Sequence, residues 1–134
     1  MNVAVLGVAT SPFGELFALS AKDLARRVVA DSLDTSGYKP SDIDAIFVGN
    51  MLSGMLDGQA NVGAFFADAL GMAVPSVRVE GACASGGLAV NMAIQSIVSK
   101  QYEKVLVLGV EKMTDKKPNE VNAALMAAGS EEER

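Results

Sequence analysis

The chain has 134 residues, a net charge of -5, no histidine and one cysteine, which excludes a Ser-His-Asp or Cys-His pair, a His-ligated metal, an internal disulfide and a cysteine-cluster zinc site within it. The pI of about 4.6 argues against nucleic acid and anionic membrane as partners. A hydrophobic share of 50% and a mean hydropathy of +0.29 are high for a chain of one-domain length, so some surface is expected to be buried against another subunit or another part of the same protein.

Met1–Ala9 is apolar, but no basic residue precedes it and no cleavage-type spacer follows, so it reads as a strand over Val3–Ala9 rather than as a leader. Ser20 is a plausible N-cap with Asp23 three residues on, close to a capping box. From there Ala21, Leu24, Ala25, Val28, Val29 and Leu33 recur at helical spacing, with Lys22, Arg26, Arg27 and Asp31 on the opposite side. Gly37 is a good stop for this surface helix. Ala45–Gly49 is a continuous apolar run, the pattern of a strand covered on both faces. Asn61–Leu70 is a second helix, ended by Gly71 and carrying Asp68 as its one charge. Val77–Val79 alternates with Arg78 and Glu80, which predicts an edge strand or one with a polar face.

Cys83–Ser99 is a third helix without a charged side chain. Its serines, glycines, Asn91 and Gln95 make it too polar for a membrane span. A helix apolar all round belongs in the middle of a structure, so it calls for a second layer that this chain does not obviously supply. Val105–Val110 is another strand covered on both faces, and Asn122–Ala128 could begin a further helix after the polar stretch Lys112–Glu120. The order β-α-β-α-β-α-β predicts an α/β fold with a mainly parallel sheet, helices on both faces and a central buried helix.

The chemistry concentrates in Val79–Gly87, VEGACASGG. A cysteine opening a helix meets backbone N–H groups and the positive end of the helix dipole, both of which favour thiolate over thiol. The small residues around it let a substrate approach the sulfur. The bland alternative is an inert core cysteine, since free cysteines are among the most buried residue types. Glu111 and Asp115 could be catalytic carboxylates, but Glu111 fits better as an acid that orders a loop through backbone hydrogen bonds. Arg78 and Glu80 could bind a phosphate or serve at an edge or interface. Lys112, Lys116 and Lys117 could meet phosphates, the blander reading being a solvated loop. The seven methionines read as gap-filling core, and Gly81–Gly87 lacks the spacing of a dinucleotide fingerprint.

Four segments in order resemble the thiolase family. Thr10-Ser11-Pro12-Phe13-Gly14 resembles the segment after the first thiolase strand, and Gly49-Asn50 with Gly58-Gln59-Ala60-Asn61 the segment after the second. Cys83-Ala84-Ser85-Gly86 resembles the Cys-x-Ser-Gly that carries the acylated cysteine, and Gly109-Val110-Glu111-Lys112-Met113-Thr114 the segment after the fourth strand. The wording is closest to the acetyl-CoA acetyltransferase and sterol-carrier-type branch.

The resemblance implies an incomplete first half of a thiolase fold over residues 1–113, with 114–134 as the start of the loop region. It implies Cys83 as the nucleophile of an acyltransferase of lipid metabolism. That enzyme would work on coenzyme A thioesters as substrates by Claisen condensation or thiolytic cleavage, with no permanently bound cofactor and no metal; residues that bind coenzyme A are not identifiable. Thiolases also use a histidine, a second cysteine and a loop domain, all of which would lie beyond residue 134, so the chain by itself is expected to be inactive. The alternative is a non-catalytic thiolase-like assembly or binding module that needs a partner polypeptide. A cytoplasmic homodimer or homotetramer is expected, without nucleic acid or membrane partners.

Overall fold

The structure, a computed structural model, describes residues 2–133. Three parallel strands form its sheet: β1 (Ala45–Gly49), β2 (Ser76–Val79) and β3 (Val105–Gly109), in the order β2-β1-β3. In register, Phe47 stands opposite Val77 and Val107, and Gly49 opposite Val79 and Gly109. All five residues of β1 are buried, as its unbroken apolar run predicts for a central strand. β2 is an edge strand, in keeping with its polar alternation.

Helix α1 (Ala21–Ser36) starts at a true capping box: the Ser20 hydroxyl accepts from the Asp23 amide at 3.1 Å, and the Asp23 carboxylate accepts from the Ser20 amide at 3.0 Å. It ends where Gly37 takes a left-handed φ of 74°. Helix α3 (Val62–Leu70) is capped by Asn61 and closed by Gly71 in the same way. Together α1 and α3 cover one face of the sheet, where Val29, Phe66, Ile46, Val48, Leu106 and Leu108 share one core. Helix α4 (Ser85–Val98) covers the other face, with Ala89 and Ala93 on Phe47 and Val79. The two faces follow from the alternation of side chains along each strand.

Three sequence expectations change. Val3–Ala9 is not a strand: it pairs with no ladder, and Val5 and Val8 are exposed. Both edges of β1 are taken by β2 and β3, and the segment instead lies along α1, where a Cβ on Gly7 would meet the Ser32 carbonyl oxygen at 2.3 Å. The third helix begins two residues later than Cys83, because Ala82–Ala84 forms a short 3-10 turn ahead of α4. Nor is α4 central in this chain. Leu88, Val90, Met92, Ile94 and Val98 on its outer side are 39–46% exposed, since nothing among the described residues lies above them.

Two elements were not anticipated as they stand. A single helical turn, α2 (Ser53–Leu56), follows β1, and α5 (Pro118–Met126) starts four residues ahead of the expected Asn122. Pro118 in the first turn and the Glu120 carboxylate accepting from the Lys117 amide at 3.0 Å explain the earlier start.

Candidate active site

Because the three strands run parallel, their C-terminal ends deliver three loops to one end of the sheet, the usual position for sites in open α/β folds. The loops begin at Asn50, Glu80 and Val110. Cys83 lies in the second of them. It sits in the 3-10 turn between β2 and α4, and its thiol is free and exposed. The inert-core alternative for this cysteine therefore does not describe its surroundings.

The turn is held from several directions. The Ala84 amide donates to the Gly81 carbonyl at 2.9 Å. Ser85, which is buried, accepts from the Gly81 amide at 3.0 Å and donates to the Ala82 carbonyl at 2.6 Å. The Glu80 carboxylate accepts from the Ala82 amide at 2.6 Å. Ala82 itself has a φ of 49°, a left-handed conformation that is unfavourable for any residue with a Cβ. Side chains built on Gly86 and Gly87 would stand in open space, so the start of α4 beside the cysteine is uncluttered.

The first loop is fastened by charge. The Glu111 carboxylate accepts from the amides of Met51 and Leu52, the latter at 3.1 Å, which is the loop-ordering role expected for it. Arg78 reaches the same loop from β2. Its Nε donates to the Asn50 carbonyl at 3.0 Å and its Nη2 to the Met51 carbonyl at 2.6 Å. The peptide units around Met51 are thus held by an anion on the N–H side and a cation on the C=O side. Asn50, at 1% exposure, donates its amide to Ser53 Oγ and to the Val110 carbonyl, both at 2.8 Å.

Lys112 and Lys116 differ from the solvated loop expected of them, whereas Lys117 is exposed as that reading has it. Lys112 is largely buried and pairs with Asp115 at 2.5 Å, so Asp115 is engaged too; Lys116 pairs with Asp57 at 3.2 Å. These bridges tie the third loop together and to the residues after α2. An open cleft of about 630 Å³ lies beside the turn, lined by Met51, Met55, Arg78, Glu80, Gly81 and Ala82 among others. It borders the backbone leading into Cys83. Met55 is exposed at this cleft rather than filling core, whereas Met51 borders it and is buried with Leu52 and Ala124. Among the described residues no group of three His, Cys, Asp or Glu side chains is gathered as a metal site would require, and no helix is long and apolar enough to cross a membrane.

Sequence reasoning singled out Cys83, Arg78, Glu80 and Glu111, and all four lie at this end of the sheet. It passed over Asn50 and Ser85 as more than motif letters. A polar residue directly after a buried apolar strand, with a serine three positions on, was the available signal for Asn50. For Ser85 it was a hydroxyl two residues past the cysteine, within reach of the turn behind it.

Comparison with known proteins agrees with this geometry. Residues 3–133 match the profile described as thiolase, N-terminal domain. The chain is 41% identical over 115 residues to an acetyl-CoA acetyltransferase of Methanothermobacter thermautotrophicus, covering 85% of this chain and 30% of the relative. It is 40% identical, over the same share of this chain and 29% of the relative, to an acetyl-CoA acetyltransferase of Methanocaldococcus jannaschii. Among solved structures, the Acat5 thiolase of Ascaris suum in complex with coenzyme A superposes with a TM-score of 0.68 at 26% identity, over 83% of this chain and 29% of that one. An acetyl-CoA acetyltransferase from Syntrophomonas wolfei gives a TM-score of 0.68 at 27% identity, over 77% of this chain and 27% of that one. The chain spans about 30% of the length of the curated relatives it matches. With a parallel sheet, a cysteine turn at its C-terminal end and a match along nearly its whole length, the chain belongs to the thiolase family, in the part of it formed by the N-terminal domain.

Proposed function

We propose that the chain carries the acyl-accepting half of a thiolase-type acyltransferase, with Cys83 as the nucleophile. The observation that carries this reading is an exposed cysteine on a small-residue turn at the carboxyl end of a parallel sheet, directly ahead of a 14-residue helix. In the first step the Cys83 sulfur attacks the carbonyl carbon of an acyl-CoA. A new C–S bond forms, the bond to coenzyme A breaks, and coenzyme A leaves as its thiol. Backbone N–H groups at the turn and at the start of α4 suit the oxygen that becomes negative as the carbonyl opens. The acyl group then passes to a second thioester in Claisen condensation, or to coenzyme A in thiolysis.

The chain contains no histidine and no second cysteine, so it offers neither of the acid–base groups that the thiolase resemblance calls for. Such groups typically contribute about 10²–10⁴-fold each, and the chain alone is therefore expected to turn over acetoacetyl-CoA at a negligible rate. The alternative reading is a thiolase-like assembly module that works with a polypeptide supplying those groups. The open outer edge of β2 suits self-association as a homo-oligomer.

The test uses the single cysteine. Incubation of the complete protein with acetyl-CoA, followed by peptide mass spectrometry, should place one acetyl group on Cys83 and none in Cys83→Ala. An unmodified Cys83 in the complete protein would refute the nucleophile assignment. Full-rate turnover by residues 1–134 alone would refute the need for further groups.

A further inference from the structure

Among the described residues Ala82 is one of two non-glycine residues with positive φ, and it directly precedes Cys83. A left-handed alanine persists only where its surroundings impose it. Here both of its backbone polar groups are taken by side chains: the amide by Glu80 at 2.6 Å and the carbonyl by Ser85 at 2.6 Å. Ser85 also accepts from the Gly81 amide at 3.0 Å, so one hydroxyl bridges the two peptides that lead into the cysteine. Ser85 is 5% exposed and sits in the first turn of α4. The second residue after Cys83 therefore fixes the two residues before it, and the turn is closed on both sides of the sulfur.

We propose that Ser85 is a positioning residue for Cys83. Its hydroxyl locks Ala82 in the left-handed conformation and thereby aims the cysteine along the amide groups that open α4. This inference rests on the reading of Cys83 as the acyl-accepting nucleophile, but it makes a claim of its own about how the sulfur is held. Without the hydroxyl, Ala82 relaxes toward negative φ and carries Cys83 out of that alignment. A serine that merely stabilised the helix would have no such effect.

Cys83 is the only cysteine in the chain, so its reactivity can be read without interference. The rate of iodoacetamide alkylation is measured at one neutral pH for the parent chain, Ser85→Ala, Ser85→Thr and Ser85→Val. Ser96→Ala serves as control, because Ser96 is equally buried in the same helix and donates to the Ala93 carbonyl at 2.8 Å, away from the turn. Ser85→Ala is expected to slow alkylation by about fivefold or more, as loss of two hydrogen bonds to the turn implies. Ser85→Thr, which keeps the hydroxyl, should stay within about twofold of the parent, whereas Ser85→Val, of the same shape without it, should behave like Ser85→Ala. Ser96→Ala should alkylate at the parent rate even where its urea midpoint falls as far.

Parent-like rates in Ser85→Ala, or equal slowing in Ser96→Ala, would overturn the proposal. So would unfolding of both Ser85→Ala and Ser85→Val with Ser85→Thr folded, since the hydroxyl would then be holding the fold rather than aiming the cysteine. Acetylation by acetyl-CoA is scored separately. No acetyl group on Cys83, together with Ser85-dependent alkylation, removes the nucleophile reading and leaves the positioning role standing.

Discussion

Replacing Gly49 with alanine will force apart two stretches of backbone that the fold holds in direct contact. Gly49 ends β1 where α4 begins, and a Cβ there would lie 2.8 Å from Gly86 Cα, 2.9 Å from Gly86 N and 3.0 Å from Ser85 C. All three are main-chain atoms, so no rotamer change relieves the clash. Ordinary carbon contacts start near 3.5 Å, which requires a displacement of about 0.7 Å between strand and helix. Overpacking of this kind costs about 1–3 kcal/mol, and the lost freedom of glycine in the unfolded chain returns about 0.4–1 kcal/mol. Mid-range values leave a net loss of about 1.3 kcal/mol. For 134 residues the entropy of unfolding is about 0.28 kcal/mol/K, so Tm should fall by about 5 °C. Gly109 is the internal control. It is the register partner of Gly49 on β3, but a Cβ there meets nothing within 4 Å. Gly109→Ala should leave Tm unchanged or raise it by about 1–3 °C. Thermal melts followed by circular dichroism compare the pair. An unchanged Tm in Gly49→Ala, or equal losses in both variants, would refute the reasoning.

The Met51 and Leu52 amides depend on the Glu111 carboxylate, so Glu111→Ala should lower stability by about 1–3 kcal/mol, read as a shift in the urea midpoint; a shift near zero would show that solvent replaces the carboxylate. At Ala82, with φ 49°, glycine should be tolerated, whereas a β-branched valine should cost at least about 1 kcal/mol more than glycine. Equal midpoints for Ala82→Gly and Ala82→Val would mean that the conformation is not enforced. The Asp44 carboxylate is held below the usual carboxylate range by the amides of Lys104 and Glu103, at 2.8 and 2.9 Å. A value lowered in the folded state stabilises fully above the unfolded value and is lost as pH falls through the folded one. Asp44→Asn should therefore lose less of its urea midpoint than the parent between neutral pH and about pH 3; equal losses would assign the acid sensitivity to other groups.

What the sequence made legible was whatever a short window determines. Ser20 with Asp23, and the glycines at 37 and 71, mark helix ends through bonds that span a few residues, and each sits where expected. The unbroken run of β1 announces burial on both faces. Val3–Ala9 has the same composition as β1, yet strand formation needs a neighbour as well as a propensity, and the segment packs along α1 rather than against an outer edge of the sheet. In α4 the lack of charge was read as burial, whereas only the side facing the sheet is covered within this chain. Glu111 was legible as a loop-ordering acid because an acid after an apolar strand needs partners. That it would share Met51 with Arg78 was not, since Arg78 lies on β2 and Glu111 in the loop after β3, and they meet only once the sheet is assembled.

The bond from Asn50 to the Val110 carbonyl reaches 60 positions along the chain, and the Glu111 bonds to Met51 and Leu52 reach 60 and 59. Parallel strands impose such distances, because each return crosses over the sheet before pairing can begin. Contacts of this range close late in folding, after local helices are in place. No short peptide cut from the sequence contains both halves of the fastening. The amides of Met51 and Leu52 belong to a loop by position but to the sheet by tether. Their hydrogen exchange should follow the opening of β1 from β3, at the slow pace of the core, rather than the quick fluctuations of a surface connection.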